Sequence, residues 1–338
     1  MKEKVTKRYK NPSQRVNRHA YLFIAPFVIG FLVFSLYPIL RSVGLSFVND
    51  NFKNKFGQGE LETFNLWSNY RFVIEDKQYW HCYFNTIVIF VMNFIPQIVS
   101  ALFFAAIFTS RRIKMKGKRV FQFIYFLPNI LTATTVAAIF MILWSRDTGS
   151  GGTFHGGPLY ELFVSLGMDP TFQPLRDPWT VRLIVAFIQF WMWFGNSMIV
   201  YISGIRAIDN EIFEAAELDG ASNSRVFFSI TLPILKPIML YSLITSIIGG
   251  LQMFDIPYMI YGEDFTAPLF GLSNPLKTVT IYIYEHMKEM HDYSIASAAS
   301  VILFFFSLGI SILMYFTVFK EKNISKKTWR KINALKRV

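Results

Sequence analysis

Apolar positions along this chain gather into six long runs, at residues 20–40, 83–110, 120–145, 183–205, 238–262 and 293–319, with polar segments between them. Among Asp, Glu, Lys and Arg, only Asp255 falls inside a run. A helix rises about 1.5 Å per residue, so about 20 apolar residues cross the hydrocarbon of a bilayer. Each run is long enough, and the pattern predicts an all-α, polytopic membrane protein with six transmembrane helices. Pro96 and Pro128 lie inside runs; transmembrane helices tolerate them because neighbouring groups re-satisfy the freed carbonyls.

Composition supports this reading. With 53% hydrophobic and 17% aromatic residues, the chain carries more apolar side chain than a soluble core of its size needs to bury. A net charge of +12 raises the question of nucleic acid, but the basic residues sit in blocks beside the apolar runs and are not interleaved with aromatics on a polar surface, so no nucleic-acid partner is expected. Counting Lys and Arg on alternate sides orients the chain. With both termini inside, the inner segments 1–19, 111–119, 206–237 and 320–338 hold 24 and the outer segments 10, which is the positive-inside pattern of an N-in, C-in protein. The block Arg111, Arg112, Lys114, Lys116, Lys118, Arg119 is its sharpest marker. The first run has no small-residue cleavage site before Arg41 and reads as an uncleaved helix. One cysteine, Cys82, leaves no internal disulfide, and no Cys/His cluster has metal-ligand spacing.

The chain therefore divides into a basic tail (1–19), a membrane domain (20–319) and a second basic tail (320–338). None of the outer segments reads as a folded domain. The middle one is rich in turn formers (Gly149, Gly151, Gly152, Gly156, Gly157, Pro158), and the third ends in a short helix, Thr278 to Met287. The inner loop 206–237 is acidic (Asp209, Glu211, Glu214, Glu217, Asp219) where topology favours basic residues. Asn210 is placed to cap a helix rich in Glu and Ala, Gly220 to end it in a left-handed turn, and Phe227 to Leu232 to form a second short apolar helix stopped by Pro233 and Pro237.

That loop resembles the signature of binding-protein-dependent ABC importer permeases: Glu214-Ala215-Ala216, then Asp219-Gly220, then Ile230-Thr231-Leu232-Pro233, with the family's spacing kept. Further patches carry the likeness, to the sugar-uptake branch and to the maltose-type permease that pairs with a second, different permease: Ala25-Pro26 through Tyr37-Pro38, Ser46-Phe47, Asn69-Tyr70, Asn85-Thr86, Gln252 with Phe254-Asp255, and Asp292-Tyr293 with Ala296-Ser297-Ala298. The chain departs from the family at Ile208-Asp209, where Ile-Pro is usual, and over Gly262 to Pro275, where Gly-Gly-Pro is usual.

The resemblance implies the type I ABC importer permease fold in a bacterial plasma membrane. The partners it implies are a second permease, two ATPase subunits and an extracellular solute-binding protein, all around membrane lipid. The chain has no phosphate-binding loop, so ATP and Mg belong to the ATPase subunits; no cofactor or metal is expected here, and no catalytic residue. Glu214, Ala215, Ala216, Asp219, Gly220, Ile230, Leu232 and Pro233 are then the ATPase-coupling residues, with Glu214 making a polar contact, the alanines allowing close approach and Gly220 setting the bend. The family's substrate contacts correspond to Trp193, Asn196, Thr245, Gly249 and Gln252. The last three share a helix face, a pattern that serves helix packing equally well. Asp255 reads either as a gate or as a structural residue at a helix break. The leading function is uptake of a carbohydrate, an oligosaccharide first. The alternatives are an organic solute such as glycerol phosphate, which calls for basic residues in the path, and a secondary transporter, which has no use for the signature loop.

Overall fold

The computed structural model describes residues 18–49, 63–64, 67–110, 113, 115–147, 155–262 and 274–318. Gly149, Gly151, Gly152 and most of the Gly262 to Pro275 departure lie outside these, as do Arg111, Arg112, Lys114 and most of the two tails. Helices dominate the described residues. Two pairs of two-residue strands, Val48–Asn49 with Thr63–Phe64 and Arg146–Asp147 with His155–Gly156, each join antiparallel.

The helices in chain order are α1 (Arg18–Phe31), α2 (Tyr37–Leu45), α3 (Ser68–Glu75), α4 (Lys77–Thr109), α5 (Lys118–Ile130), α6 (Ala133–Trp144) and α7 (Pro158–Ser165). They continue as α8 (Pro178–Arg206), α9 (Asn210–Leu218), α10 (Asn223–Val226), α11 (Leu232–Leu251), α12 (Asp255–Gly262), α13 (Val279–Lys288) and α14 (Tyr293–Val318). Among the described residues, five stretches are long and apolar enough to cross a membrane: Tyr21–Leu45, Lys77–Thr109, Pro178–Arg206, Asn223–Ile260 and Tyr293–Thr317. The pair α5 and α6 makes a sixth crossing when taken together.

That pair corrects the single helix expected over 120–145, because its halves are bent by 94°. Leu131 and Thr132 are extended, and the Thr132 hydroxyl accepts the Thr135 N–H at 3.3 Å, starting a new helix as its N-cap. Other prolines are absorbed without a break. Five-residue π-turns at Leu32–Leu36 and Phe227–Thr231 each end two residues before a proline, Pro38 and Pro233. A proline ring clashes with the carbonyl four residues back. Here those carbonyls, of Phe34 and Ser229, lie inside the wider turns, where the N–H of Tyr37 and Leu232 reach back to Leu32 and Phe227.

The core forms where α4, α8, α11 and α14 meet. α5 joins this core by a close approach at Gly195, where a Cβ would stand 2.0 Å from the Tyr125 carbonyl oxygen, so the α5 and α8 backbones touch. By contrast, α1 presents exposed apolar side chains around its circumference, among them Phe23, Phe27 and Phe31. Such a surface needs an apolar surrounding.

α4 is 33 residues long, about 50 Å by helical rise, so it outruns the roughly 30 Å of hydrocarbon. At the end of the bundle far from the signature loop, this excess anchors the segment 274–288. The Asn85 amide donates to the carbonyls of Asn274 (2.9 Å) and Lys277 (3.0 Å), and its oxygen accepts from Arg182 at 2.7 Å. The Thr86 hydroxyl accepts the Val279 N–H at 3.1 Å. Tyr282 donates to Asp76, the N-cap of α4, at 2.7 Å. Thr278 and Thr280 donate to the Met253 carbonyl in the break between α11 and α12. Thr278 also caps α13, one residue later than the Thr278 to Met287 helix expected. The segment is thus a strap joining α4, α8 and the fifth crossing, with a buried Lys277–Glu285 ion pair inside it. Arg182, expected in an outer segment, is buried in α8 with its guanidinium over Trp179 at 5.1 Å.

Removing one member of a buried pair leaves an uncompensated charge. Lys277→Met should therefore destabilise the protein in detergent by about 3–5 kcal/mol, and Lys277→Met with Glu285→Leu should recover most of the loss, as read by thermal unfolding. His286 gives the strap a pH dependence. Burial holds its imidazole below the ordinary range; Asp292, Asp76 and Glu285 oppose this, while Lys277 adds to it. The unfolded strap takes up the proton first, so His286 contributes stability above about pH 6.5 that is lost as pH falls. Hydrogen exchange over 274–288, corrected for intrinsic rates, should show opening on acidification, and His286→Leu should flatten that response.

Candidate functional site

Two sites take shape, one at the end of the bundle carrying the signature loop and one midway along the long helices. At the first, Asp209 rather than Asn210 is the N-cap of α9: its carboxylate accepts the Glu211 N–H at 3.1 Å, and Asn210 is the first helical residue. A carboxylate at this position meets the positive end of the helix dipole. At the other end Gly220 has φ +71°. The Ala221 N–H bonds the Ala216 carbonyl at 3.0 Å and the Gly220 N–H bonds the Glu217 carbonyl at 3.1 Å, the paired bonds of a Schellman motif. A Cβ on Gly220 meets nothing within 4 Å, so the demand for glycine is conformational and not steric.

Beyond the bend the chain does not form a separate short helix. α10 passes through the π-turn directly into α11, with Pro233 and Pro237 accommodated in the run, which corrects the expectation that these prolines stop it. Ile230 and Leu232 are half-buried along this leg and Pro233 is exposed. The second leg of the loop is therefore the rigid end of the fifth crossing.

α9 sits on the bundle through Phe213, which packs against the buried cluster that holds Ala101, Phe108, Tyr201, Ile205 and Leu235. Its other side is open. Glu211, Glu214, Ala215 and Asp219 are exposed there, and Leu218 is 90% exposed. The two signature alanines differ. Ala215 faces outward, whereas Ala216 is only 7% exposed beneath the helix, so Ala216 serves close packing within its own chain instead of approach by a partner. A groove of about 740 Å³ remains between α9, α10 and the end of α4.

The second site is a cavity of about 340 Å³ between α4, α8 and α11. Trp193, Asn196, Thr245 and Gly249 all line it. Gln252 does not; it ends α11 at the break, exposed, its N–H on the Ile248 carbonyl. Residues not anticipated from the sequence complete the wall. Asn93 donates to Gln189 at 3.4 Å, and Gln97 donates to Ser197 at 2.9 Å and Ser246 at 3.5 Å. The signal for the α4 side was present, since Asn85, Asn93 and Gln97 are spaced in steps of four along one helix face. Among the described residues, no Lys, Arg, Asp, Glu or His lines the cavity. Uncharged amides and hydroxyls with Trp193 and Tyr241 can bind a neutral, hydroxyl-rich solute and offer nothing to balance an anion. Asp255 is not in this wall. It is exposed at the start of α12, directly after the break. Among the described residues no cluster of His, Cys, Asp and Glu could hold a metal.

Comparison with known proteins places this architecture. The profile of the family described as "Binding-protein-dependent transport system inner membrane component" matches residues 84–323. The lactose transport system permease protein LacF of Rhizobium radiobacter is 29% identical over 90% of this chain and 95% of its own length. The arabinooligosaccharides transport system permease protein AraP of Bacillus subtilis is 27% identical over 87% and 86%. The trehalose/maltose transport system permease protein MalF of Thermococcus litoralis is 26% identical over 87% and 91%. Among solved structures, a chain of a bacterial ABC transporter involved in the import of the acidic polysaccharide alginate superposes with a TM-score of 0.71 at 20% identity, over 90% of this chain and 96% of that one.

Because Gly220 is needed for its backbone alone, Gly220→Ala should cost the bend about 1 kcal/mol. Limited proteolysis should cut between residues 218 and 224 faster in the variant while the melting of the membrane helices is unchanged.

Proposed function

We propose a function for this chain, which belongs to the family of binding-protein-dependent transport system inner membrane components: it forms half of the path by which an ATP-driven importer admits a neutral carbohydrate, an oligosaccharide first. The observation that carries the substrate class is the uncharged amide, hydroxyl and indole wall between α4, α8 and α11. Relatives named for lactose, arabinooligosaccharide and trehalose/maltose transport support it. A phosphorylated solute would need a cation in that wall.

A cavity whose lining Trp193 and Tyr241 are exposed calls for a second permease to cover it, and an acidic, outward-facing α9 calls for ATPase subunits to receive it. With α9 on the cytoplasmic side, as the distribution of Lys and Arg requires, the strap lies outside, toward an extracellular binding protein. The solved alginate importer in complex with an alginate pentasaccharide-bound periplasmic protein is a parallel arrangement. In this reading Glu214 and Ala215 meet the ATPase. Ala216, Asp219, Gly220, Ile230, Leu232 and Pro233 hold the bend and the second leg rigid. Trp193, Asn196, Thr245 and Gly249 meet the sugar, and Gln252 lies beyond them on the same path.

The test is uptake into cells expressing the chain with the permease, ATPase and binding-protein genes adjacent to its own. Labelled lactose, maltose and arabino-oligosaccharides are compared with glycerol 3-phosphate. At least one sugar should enter and the phosphate should not. Asn196→Ala should raise the KM for that sugar about tenfold, the effect of 1.4 kcal/mol. Glu214→Lys should stop uptake while ATP hydrolysis continues. Import of glycerol 3-phosphate with no sugar would overturn the substrate class, and full uptake by Glu214→Lys would overturn the coupling role.

A further inference from the structure

Gln252, Phe254 and Asp255 belong to the signature patches, yet none lines the cavity. They mark the break in the fifth crossing, and the structure shows what surrounds it. Phe254 and Tyr258 stack with centroids 4.7 Å apart and planes 15° from parallel. Tyr284 of the strap stands 5.1 Å from each ring, at 52° and 66°. The Lys288 ammonium lies 5.6 Å from the Tyr284 centroid. All three rings are only half-buried.

The opposite face of α12 fixes how this cluster is turned. Ile256 and Ile260 are buried against α6 and α8, and Phe254 and Tyr258 lie across the helix from them by the 100° step per residue. Exposed Asp255 and Gln252 flank the rings, with Lys288 at the far edge. A charged carboxylate within a crossing is tolerated on a wet face and costly on a lipid-facing one, so the aromatic patch is hydrated. A hydrated patch of three ring faces rimmed by a carboxylate, an amide, an ammonium and two phenols has the chemistry to receive a pyranose or furanose, with C–H faces on the rings and hydroxyls on the rim.

We propose that Phe254, Tyr258 and Tyr284 form a second carbohydrate subsite on the strap side of the cavity, one that holds a further sugar unit of a longer chain. The proposal rests on the carbohydrate reading above. Tyr258 lies on the order of 15 Å beyond Gly249 by helical rise. A disaccharide seated in the cavity does not reach that far, and a longer oligosaccharide does. Because Tyr284 belongs to the strap and Phe254 and Tyr258 to the crossing, the subsite exists only while the strap is seated.

The test uses the whole transporter in cells, with labelled maltose against maltotetraose and arabinobiose against arabinotetraose. Tyr258→Leu and Tyr284→Leu should each raise the KM for the tetrasaccharide of the imported series about tenfold, with the disaccharide KM unchanged. Tyr258→Phe, which keeps the ring face, should lie near wild type for both lengths. Unchanged disaccharide uptake shows that a variant has folded; should Tyr284→Leu lose both sugars, Tyr258→Leu decides. An equal change for both lengths in Tyr258→Leu, or no change for either, would overturn the subsite. Wild type that imports no sugar would instead overturn the carbohydrate reading on which it stands.

Discussion

In hydrocarbon every backbone N–H and C=O must find a partner within the protein, and the shape of this chain is set where helices alone do not supply one. At the break between α11 and α12 the Met253 carbonyl is freed, and the hydroxyls of Thr278 and Thr280 take it up. At the break between α5 and α6 the Thr132 side chain takes the Thr135 N–H. At Pro38 and Pro233 the chain widens into a π-turn and keeps going. Each solution fixes a direction. The first ties the strap to the fifth crossing, the second turns the third crossing through 94°, and the π-turns keep long helices continuous through residues that ordinarily end them.

This explains which parts of the fold were legible in the sequence. Apolar runs revealed the crossings, because lipid demands continuous apolar side chain. The bend at Leu131 and Thr132 left no mark in that pattern, since both residues sit within an apolar run. Arg182, Lys277 and Glu285 were assigned to outer segments because a charge argues against a span. Their burial depends on Asn85 and on each other, and Asn85 lies 97 residues from Arg182. Pairings so distant are invisible to local periodicity. The patches Asn69-Tyr70 and Asn85-Thr86 gain a physical reason from the fold. Asn69 donates to the Ser46 and Val48 carbonyls, Tyr70 bonds the Ser46 hydroxyl, and Asn85 and Thr86 hold the strap.

The functional residues divide in the same way. Alignment to the family outward from the signature gave Trp193, Asn196, Thr245 and Gly249, which share one cavity wall because α8 and α11 are regular helices leading directly into the loop. It reached past that wall at Gln252, where α11 ends. It missed Asn93, Gln97 and Gln189 because single polar residues in an apolar run read as packing until a partner helix is placed against them. In the signature loop, the structure adds what spacing does not carry: Ala215 faces out, Ala216 faces in, and Asp209 rather than Asn210 caps the helix.

Continuity between the two sites is then a matter of covalent geometry. α8 begins beside the Asn85 knot, carries Gln189, Trp193, Asn196 and Ser197 past the cavity, and ends at Arg206, three residues before the cap of α9. α11 continues the second leg of the loop and brings Thr245, Ser246 and Gly249 to the facing wall. α9 is held between these two helices by a three-residue link on one side and a single bend at Gly220 on the other. A force applied to its exposed face is therefore delivered to α8 and α11, two of the three helices that line the cavity. The strap joins the same two elements at their opposite ends, through Arg182–Asn85 and through Met253. In the importer proposed above, a pair of helices clasped at one end and driven at the other would open and close the space between them, which is the mechanical requirement of alternating access by small rigid-body shifts.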